Sequence, residues 1–194
     1  MNCEILTIAE HSFIPYSFGG IFPYDGANVL DAGCRGFEFA EGMAKLKCKV
    51  WCIDADKLEG GPYDMVALSD FIGTGYLVKS DDKQATRIQK QPKTDYEIQC
   101  TTLKALSVYY DVKFWDLIKL DIEGSEYEVI MSLDKAPAKQ LSIEFHLHTG
   151  IYGQTEMTMM EDKLKALGYE AIKHDYTSQH GVGFNYWDSL WILK

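Results

Sequence analysis

The chain has 194 residues, 46% of them apolar and 25% charged, and a net charge of −10. That length suits a single α/β domain spanning 1–194, and the absence of repeats, low-complexity tracts and polar linkers excludes disorder and solenoids. With 29 acidic against 19 basic residues, the outward field repels polyphosphate and anionic lipid, so neither nucleic acid nor a membrane surface is expected as a partner.

The basic stretches at 45–49 and 83–93 read as solvated faces. Cys3, Cys34, Cys48, Cys52 and Cys100 are odd in number and lack CxxC spacing. They suggest neither a disulfide framework nor a zinc site, which points to a reducing compartment. No basic region followed by a long apolar core opens the chain, and no run of about 18 apolar residues occurs, so a cytoplasmic protein without export signal or membrane span is expected.

In chain order, short apolar runs alternate with helical periodicity, the pattern of a parallel sheet flanked by helices. Val29–Ala32 predicts a first strand, followed by a helix with Phe39, Met43 and Leu46 on one face. Val50–Ile53 and Met65–Leu68 predict the second and third strands. Thr101 or Thr102 is placed to cap a helix whose inner face is Leu103, Leu106 and Tyr110. Leu117–Leu120 is an apolar strand interrupted by Lys119, and Val129, Ile130 and Leu133 form the stripe of the next helix. Leu141–Phe145 is a fifth strand. Met157, Met160, Leu164 and Leu167 mark a helix that stops at Gly168, and the methionines read as core filling. Glu170–His174 and Leu190–Leu193 complete about seven strands, with loops around 56–63 and 80–94.

In open α/β sheets a ligand sits beyond the carboxyl ends of the strands. After the first predicted strand stands Asp31-Ala32-Gly33-Cys34-Arg35-Gly36-Phe37, where Gly33 and Gly36 let backbone approach a ligand. The glycine steps of a dinucleotide fingerprint are absent, since Arg35 and Glu38 occupy those positions, which disfavours pyrophosphate. Asp54 ends the second strand, 21 residues after Gly33, where a carboxylate can accept both hydroxyls of an adenosine ribose.

These runs, together with Ile53-Asp54-Ala55-Asp56, Val66-Ala67-Leu68-Ser69-Asp70 followed by Gly73, Thr102-Leu103 and above all Ile118-Lys119-Leu120-Asp121-Ile122-Glu123-Gly124-Ser125-Glu126, resemble the FkbM family of methyltransferases from about Val29 to Glu144. The resemblance implies a class I methyltransferase fold, a Rossmann-like, mostly parallel sheet flanked by helices, with S-adenosylmethionine as cofactor. It implies that Asp31, Gly33, Cys34, Arg35, Gly36 and Phe37 hold the methionine part, Asp54 and Ala55 the ribose, and Ser69 with Asp70 the adenine edge. Two departures stand out. The late glycine of the first loop is replaced by Phe37 or displaced to Gly36, and the stretch between Asp56 and Met65 is too short for a normal helix.

For the acceptor, the candidates are Asp121 and Glu123 after the fourth strand and Glu144, His146 and His148 after the fifth, with Glu126 in a structural position. Asp121 and Glu144 can hold a divalent cation, magnesium or manganese, or with His146 remove a proton. Phe13, Tyr16, Phe18, Phe22 and Tyr24 in the segment 1–28, and Tyr152, Tyr186 and Trp187, are rings that can shape the acceptor pocket. The resemblance implies O-methylation of a hydroxyl, with a saccharide or glycan-like acceptor as first choice. The competing readings are a nicotinamide oxidoreductase, which the missing glycines disfavour, and a non-catalytic domain keeping the fold.

Overall fold

The structure is a computed structural model that describes residues 5–14, 16–17, 20–21, 25–79, 86–90, 96–146, 153–175 and 186–194; for 16–17, 20–21, 79, 86–87, 174–175 and 186–187 it describes the backbone alone. Two short hairpins come first, β1 (Leu6–Ile8) with β2 (His11–Phe13) and β3 (Tyr16–Ser17) with β4 (Gly20–Ile21). Then follow β5 (Asn28–Ala32), α1 (Glu38–Lys45), β6 (Lys49–Asp54), β7 (Asp64–Met65), β8 (Ala67–Leu68), β9 (Gly73–Lys79), β10 (Thr86–Gln89) and β11 (Glu97–Thr101). The chain continues through α2 (Leu103–Tyr109), β12 (Trp115–Leu120), α3 (Glu126–Met131), β13 (Ala138–His146), α4 (Gln154–Ala166), β14 (Tyr169–Asp175) and β15 (Tyr186–Leu193).

The main sheet has seven strands in the order β14-β15-β13-β12-β5-β6-β7. Its inner strands pair in parallel, whereas β15 runs antiparallel to both β13 and β14. From β5 the chain first builds outward to β6 and β7 and later to β12 and β13 on the other side. The order therefore reverses between β5 and β12, where a crevice opens beyond the strand ends.

Every residue of β12 is buried, as expected of a strand covered on both faces. One side is filled by Leu106, Trp115, Ile118, Val129, Ile130 and the α4 residues Met157, Met160 and Leu164. The other carries Phe13, Val29, Phe39, Met43 and Leu117. Met157 and Met160 are thus core residues, whereas Met159 is exposed. Glu156 accepts from the Gly153 amide at 2.8 Å to close the start of α4, and Gly168 (φ +93°) turns the chain at its end.

Two departures from the predicted elements have physical causes. The predicted third strand, Met65–Leu68, splits at Val66: β7 continues the main sheet beside β6, whereas β8 pairs with β11 in a second sheet ordered β10-β9-β11-β8. That sheet occupies the region from Gly73 to Thr101, where no strand was predicted. Phe13, assigned to the acceptor pocket, is fully buried in the α1-side core, because its neighbours on that face are all apolar. Cys3, Phe18, Phe22, Tyr24, His148 and Tyr152 lie outside the described residues, as do the side chains of Tyr16, Tyr186 and Trp187 and most of the basic stretch 83–93. Among the described residues no helix is long and apolar enough to cross a membrane, and the four described cysteines are free thiols.

Candidate active site

The crevice at the β5–β12 reversal is lined by Gly33 and Arg35 after β5, Asp54 at the end of β6 and Ala55 after it, Leu68 of β8, and Asp121 with Glu123 after β12. Gly33 has φ +83°, and a Cβ there would overlap the Asp121 carbonyl oxygen. Only glycine lets the two strand ends come this close. Asp54 Oδ1 accepts from the Asp56 amide at 2.8 Å, and burial raises the carboxyl above its ordinary value.

Asp31 is fully buried. Lys119 Nζ stands 3.1 Å from its Oδ1, 3.2 Å from Asp121 Oδ2 and 2.6 Å from the Gly33 carbonyl oxygen. Burial alone would lower the Lys119 ammonium, yet Asp121 and Asp31 raise it above the ordinary lysine value. The cation is fixed between the two strand ends. Neither Asp31 oxygen finds a hydrogen-bond donor beyond this ion pair among the described residues.

Other residues assigned to the cofactor are not part of the crevice wall. Cys34 is buried against Ala40 and Cys52, and contact with the Cys52 thiol, then burial, pushes its thiol far up. Phe37 (φ +62°) stacks against Tyr63, with ring centroids 6.0 Å apart. Gly36 (φ +80°) makes the exposed turn before it. Ser69 is buried with its hydroxyl donating to Asp70 at 3.2 Å, and Asp70 is ion-paired to Lys90 at 2.7 Å. Packing inside the first loop and the Asp70–Lys90 pair account for these placements.

Beside Asp121 and Glu123, side chains from the ends of β12 and β13 converge. His146 Nδ1 is 3.0 Å from Glu126 Oε1. Glu126 is buried and also accepts from the amides of Ile122 and Gly124, at 2.8 and 2.9 Å, so its role is to shape the turn and hold the imidazole. His146 Nε2 lies 3.6 Å from Glu144, 3.7 Å from Asp121 and 3.7 Å from Glu123. Burial would lower the imidazole, but Glu126, Asp121 and Glu123 push it up to about 10. The surrounding carboxylates thus favour the charged imidazole, and Glu126 fixes its orientation. Glu144 is pushed up to about 8, by burial first and then by Asp121. Asp121 is held below the carboxylate range: burial opposes ionisation, and Lys119, His11 and His146 overcome it.

Two further residues join this cluster. His11 of β2 reaches Asp121 at 3.5 Å through Nε2, and Asp188 of β15 stands directly opposite Glu144 in the β13–β15 register. The segment 1–28 thus reaches the site through an imidazole and not through Phe13. For His11 the sequence offered no signal beyond an isolated histidine.

A seven-stranded sheet of this order, with its next-to-last strand antiparallel and its crevice at the reversal beside the first strand, is the class I methyltransferase fold. Residues 58–171, more than half of the chain, match the family model described as the methyltransferase FkbM domain. The chain belongs to that family, and so to the S-adenosylmethionine-dependent methyltransferases. The match begins after β6, so Asp31, Gly33 and Asp54 rest on their geometry. Comparison with the curated proteins found no match.

Among solved structures, a TehB-like methyltransferase from Corynebacterium glutamicum is 15% identical, covering 88% of this chain and 82% of that one with a TM-score of 0.44. Magnesium protoporphyrin IX methyltransferase from Synechocystis, with bound SAH, is 15% identical over 88% and 75% of the two chains, at 0.45. The Methanococcus jannaschii fibrillarin pre-rRNA processing protein is 12% identical over 100% and 84%, at 0.48.

Proposed function

We propose that the protein transfers the methyl group of S-adenosylmethionine to a hydroxyl of a saccharide or similar small acceptor. One observation carries this reading: Asp121 lines the cofactor crevice and at the same time lies within ion-pair reach of His11, Lys119 and His146. It joins the crevice to a cluster of carboxylates.

The residues present fit the cofactor. Asp54 has a second oxygen for a ribose hydroxyl after Oδ1 is taken by Asp56. Asp31, fully buried and outside the crevice wall, fixes Lys119 between the two strand ends. When bound, the cofactor supplies a methyl carbon on a positively charged sulfur that leaves as a neutral thioether. The chain's own task is to hold an acceptor oxygen in line with that carbon and to take up its proton. Positioning is worth roughly 7 to 11 kcal/mol, whereas a general base adds about 10²- to 10⁴-fold. Lys119 and His146, each within ion-pair reach of Asp121, hold the carboxylates in place. Glu144, whose carboxyl is raised toward the operating range, is the group that takes up the proton, while Asp121 and Glu123 receive hydrogen bonds from hydroxyls.

Incubating the protein with isotopically labelled S-adenosylmethionine and a panel of glycans, followed by mass spectrometry, tests the acceptor class. Glu144→Gln and Asp121→Asn are expected to lower turnover by about 10²-fold or more, with SAH affinity within about threefold of wild type for Glu144→Gln, since Glu144 lies outside the crevice wall. Label on amines alone would remove the hydroxyl reading, and wild-type turnover in both variants would remove the assigned roles.

A further inference from the structure

We propose that His11, Glu144 and Asp188 form a seat for one divalent metal ion, of the kind Mn²⁺ represents, at the acceptor end of the crevice. The site joins three separate parts of the chain: the hairpin strand β2, the end of β13 and the antiparallel strand β15. One ligand atom from each of the three residues lies within 4.8 Å of the others. Ligands held about 2.1 Å from a small divalent ion stand roughly 3 Å apart at right angles and roughly 4.2 Å apart across it. Small side-chain rotations therefore close the group on an ion.

Three independent features favour an ion over a chance meeting of acids. His11 is 3% exposed, and its Nδ1 is buried without a hydrogen-bond partner among the described residues. Asp188 Oδ1, 3.9 Å from that nitrogen, is likewise buried and without one. A buried donor or acceptor left unmade costs about 1 to 3 kcal/mol, and here two such atoms face each other across a gap too long for a hydrogen bond.

The second feature is the orientation of the imidazole. Asp121 lies 3.5 Å from His11 Nε2, which favours the proton on that nitrogen and leaves the Nδ1 lone pair toward Asp188. A carboxylate on the outer nitrogen of a histidine whose inner nitrogen meets a metal is the usual support of such ligands.

The third is the sheet register. Glu144 and Asp188 are directly paired across β13 and β15, and like charges opposite one another destabilise a sheet. A cation between them turns that repulsion into coordination. Two carboxylates with one imidazole make a donor set between the oxygen sites of magnesium and the nitrogen-rich sites of later metals.

Asp121, Glu144 and His146 likewise bring one ligand atom each within 4.8 Å of the others. There the imidazole is already engaged, with Nδ1 on Glu126 and three carboxylates around Nε2. In the proposed seat Glu144 coordinates through one oxygen and keeps the other toward the acceptor, and Asp121 supports His11 from outside the ion. The inference goes beyond methyl transfer and does not depend on it.

The test is titration of the full chain with Mn²⁺, followed by calorimetry and electron spin resonance. One Mn²⁺ per chain is expected, with an imidazole nitrogen coupled to it. Asp188→Asn, which keeps the side-chain shape, should weaken Mn²⁺ binding by about tenfold or more. His11→Gln should abolish the nitrogen coupling, and His146→Gln should retain it. Because His11 is buried, thermal unfolding of each variant is followed alongside, and the wild-type coupling that survives His146→Gln stands even if His11→Gln does not fold. Failure of Mn²⁺ to bind, unchanged binding in Asp188→Asn, or loss of the coupling in His146→Gln alone would each overturn the proposal. SAH binding measured on the same samples separates the two ideas. Mn²⁺ without SAH leaves the ion site and removes the methyltransferase reading, whereas SAH without Mn²⁺ does the reverse.

Discussion

Lys119 sits 4% exposed between Asp31 and Asp121, so each partner depends on it for charge balance. Removing one member of a buried ion pair strands the others and costs about 3 to 5 kcal/mol. Lys119→Met, which keeps most of the volume, should therefore lower unfolding stability by about that amount in urea titration. A loss under about 1 kcal/mol would mean that the pair is effectively solvated. The same residue marks what could be read from sequence at this scale. A lysine inside an apolar strand pattern was visible, and the acids after the strands, Asp121, Glu144 and Asp54, followed from the rule that ligands gather at strand ends. His11 and Asp188 were not legible. One arrives on an N-terminal hairpin and the other by antiparallel pairing, and both depend on tertiary register that no local spacing encodes.

At the level of elements, the buried strand β12 and the three-and-four spacing of α4 were readable because burial on both faces leaves a continuous apolar run and burial on one face leaves a stripe. The second sheet was missed although Glu97, Ile98, Gln99 and Cys100 alternate exposed and buried. That alternation spans few residues, and the partner strand β9 contains Gly73 and Gly75, which weaken any strand signal. The cap of α2 was legible as Thr101 or Thr102, and the structure selects Thr102, whose Oγ1 accepts from the Ala105 amide at 3.2 Å. Since α2 has only seven residues, its first turn relies on this bond. Thr102→Ala should cost about 1 kcal/mol, read as a lowered midpoint in thermal unfolding, and an unchanged midpoint would show the cap to be dispensable.

Across the whole molecule, the strand-order reversal opens a crevice on one side of Asp121 and gathers a cluster of acidic side chains on the other. The crevice requires Gly33 beside Asp121, and the cluster requires the register that sets Glu144 against Asp188. Together they support methyl transfer more directly than hydride transfer, because Asp54 suits a ribose and the first loop lacks the glycines that admit a pyrophosphate. The most direct test is a calorimetric titration of SAH into the wild-type protein and Asp54→Ala, with NAD⁺ titrated in parallel. The account predicts one SAH site in the wild type, an affinity lower by about tenfold or more in Asp54→Ala, as expected for about 1.5 to 3 kcal/mol from a charged hydrogen bond, and no heat from NAD⁺. Binding of NAD⁺ with no binding of SAH would contradict it.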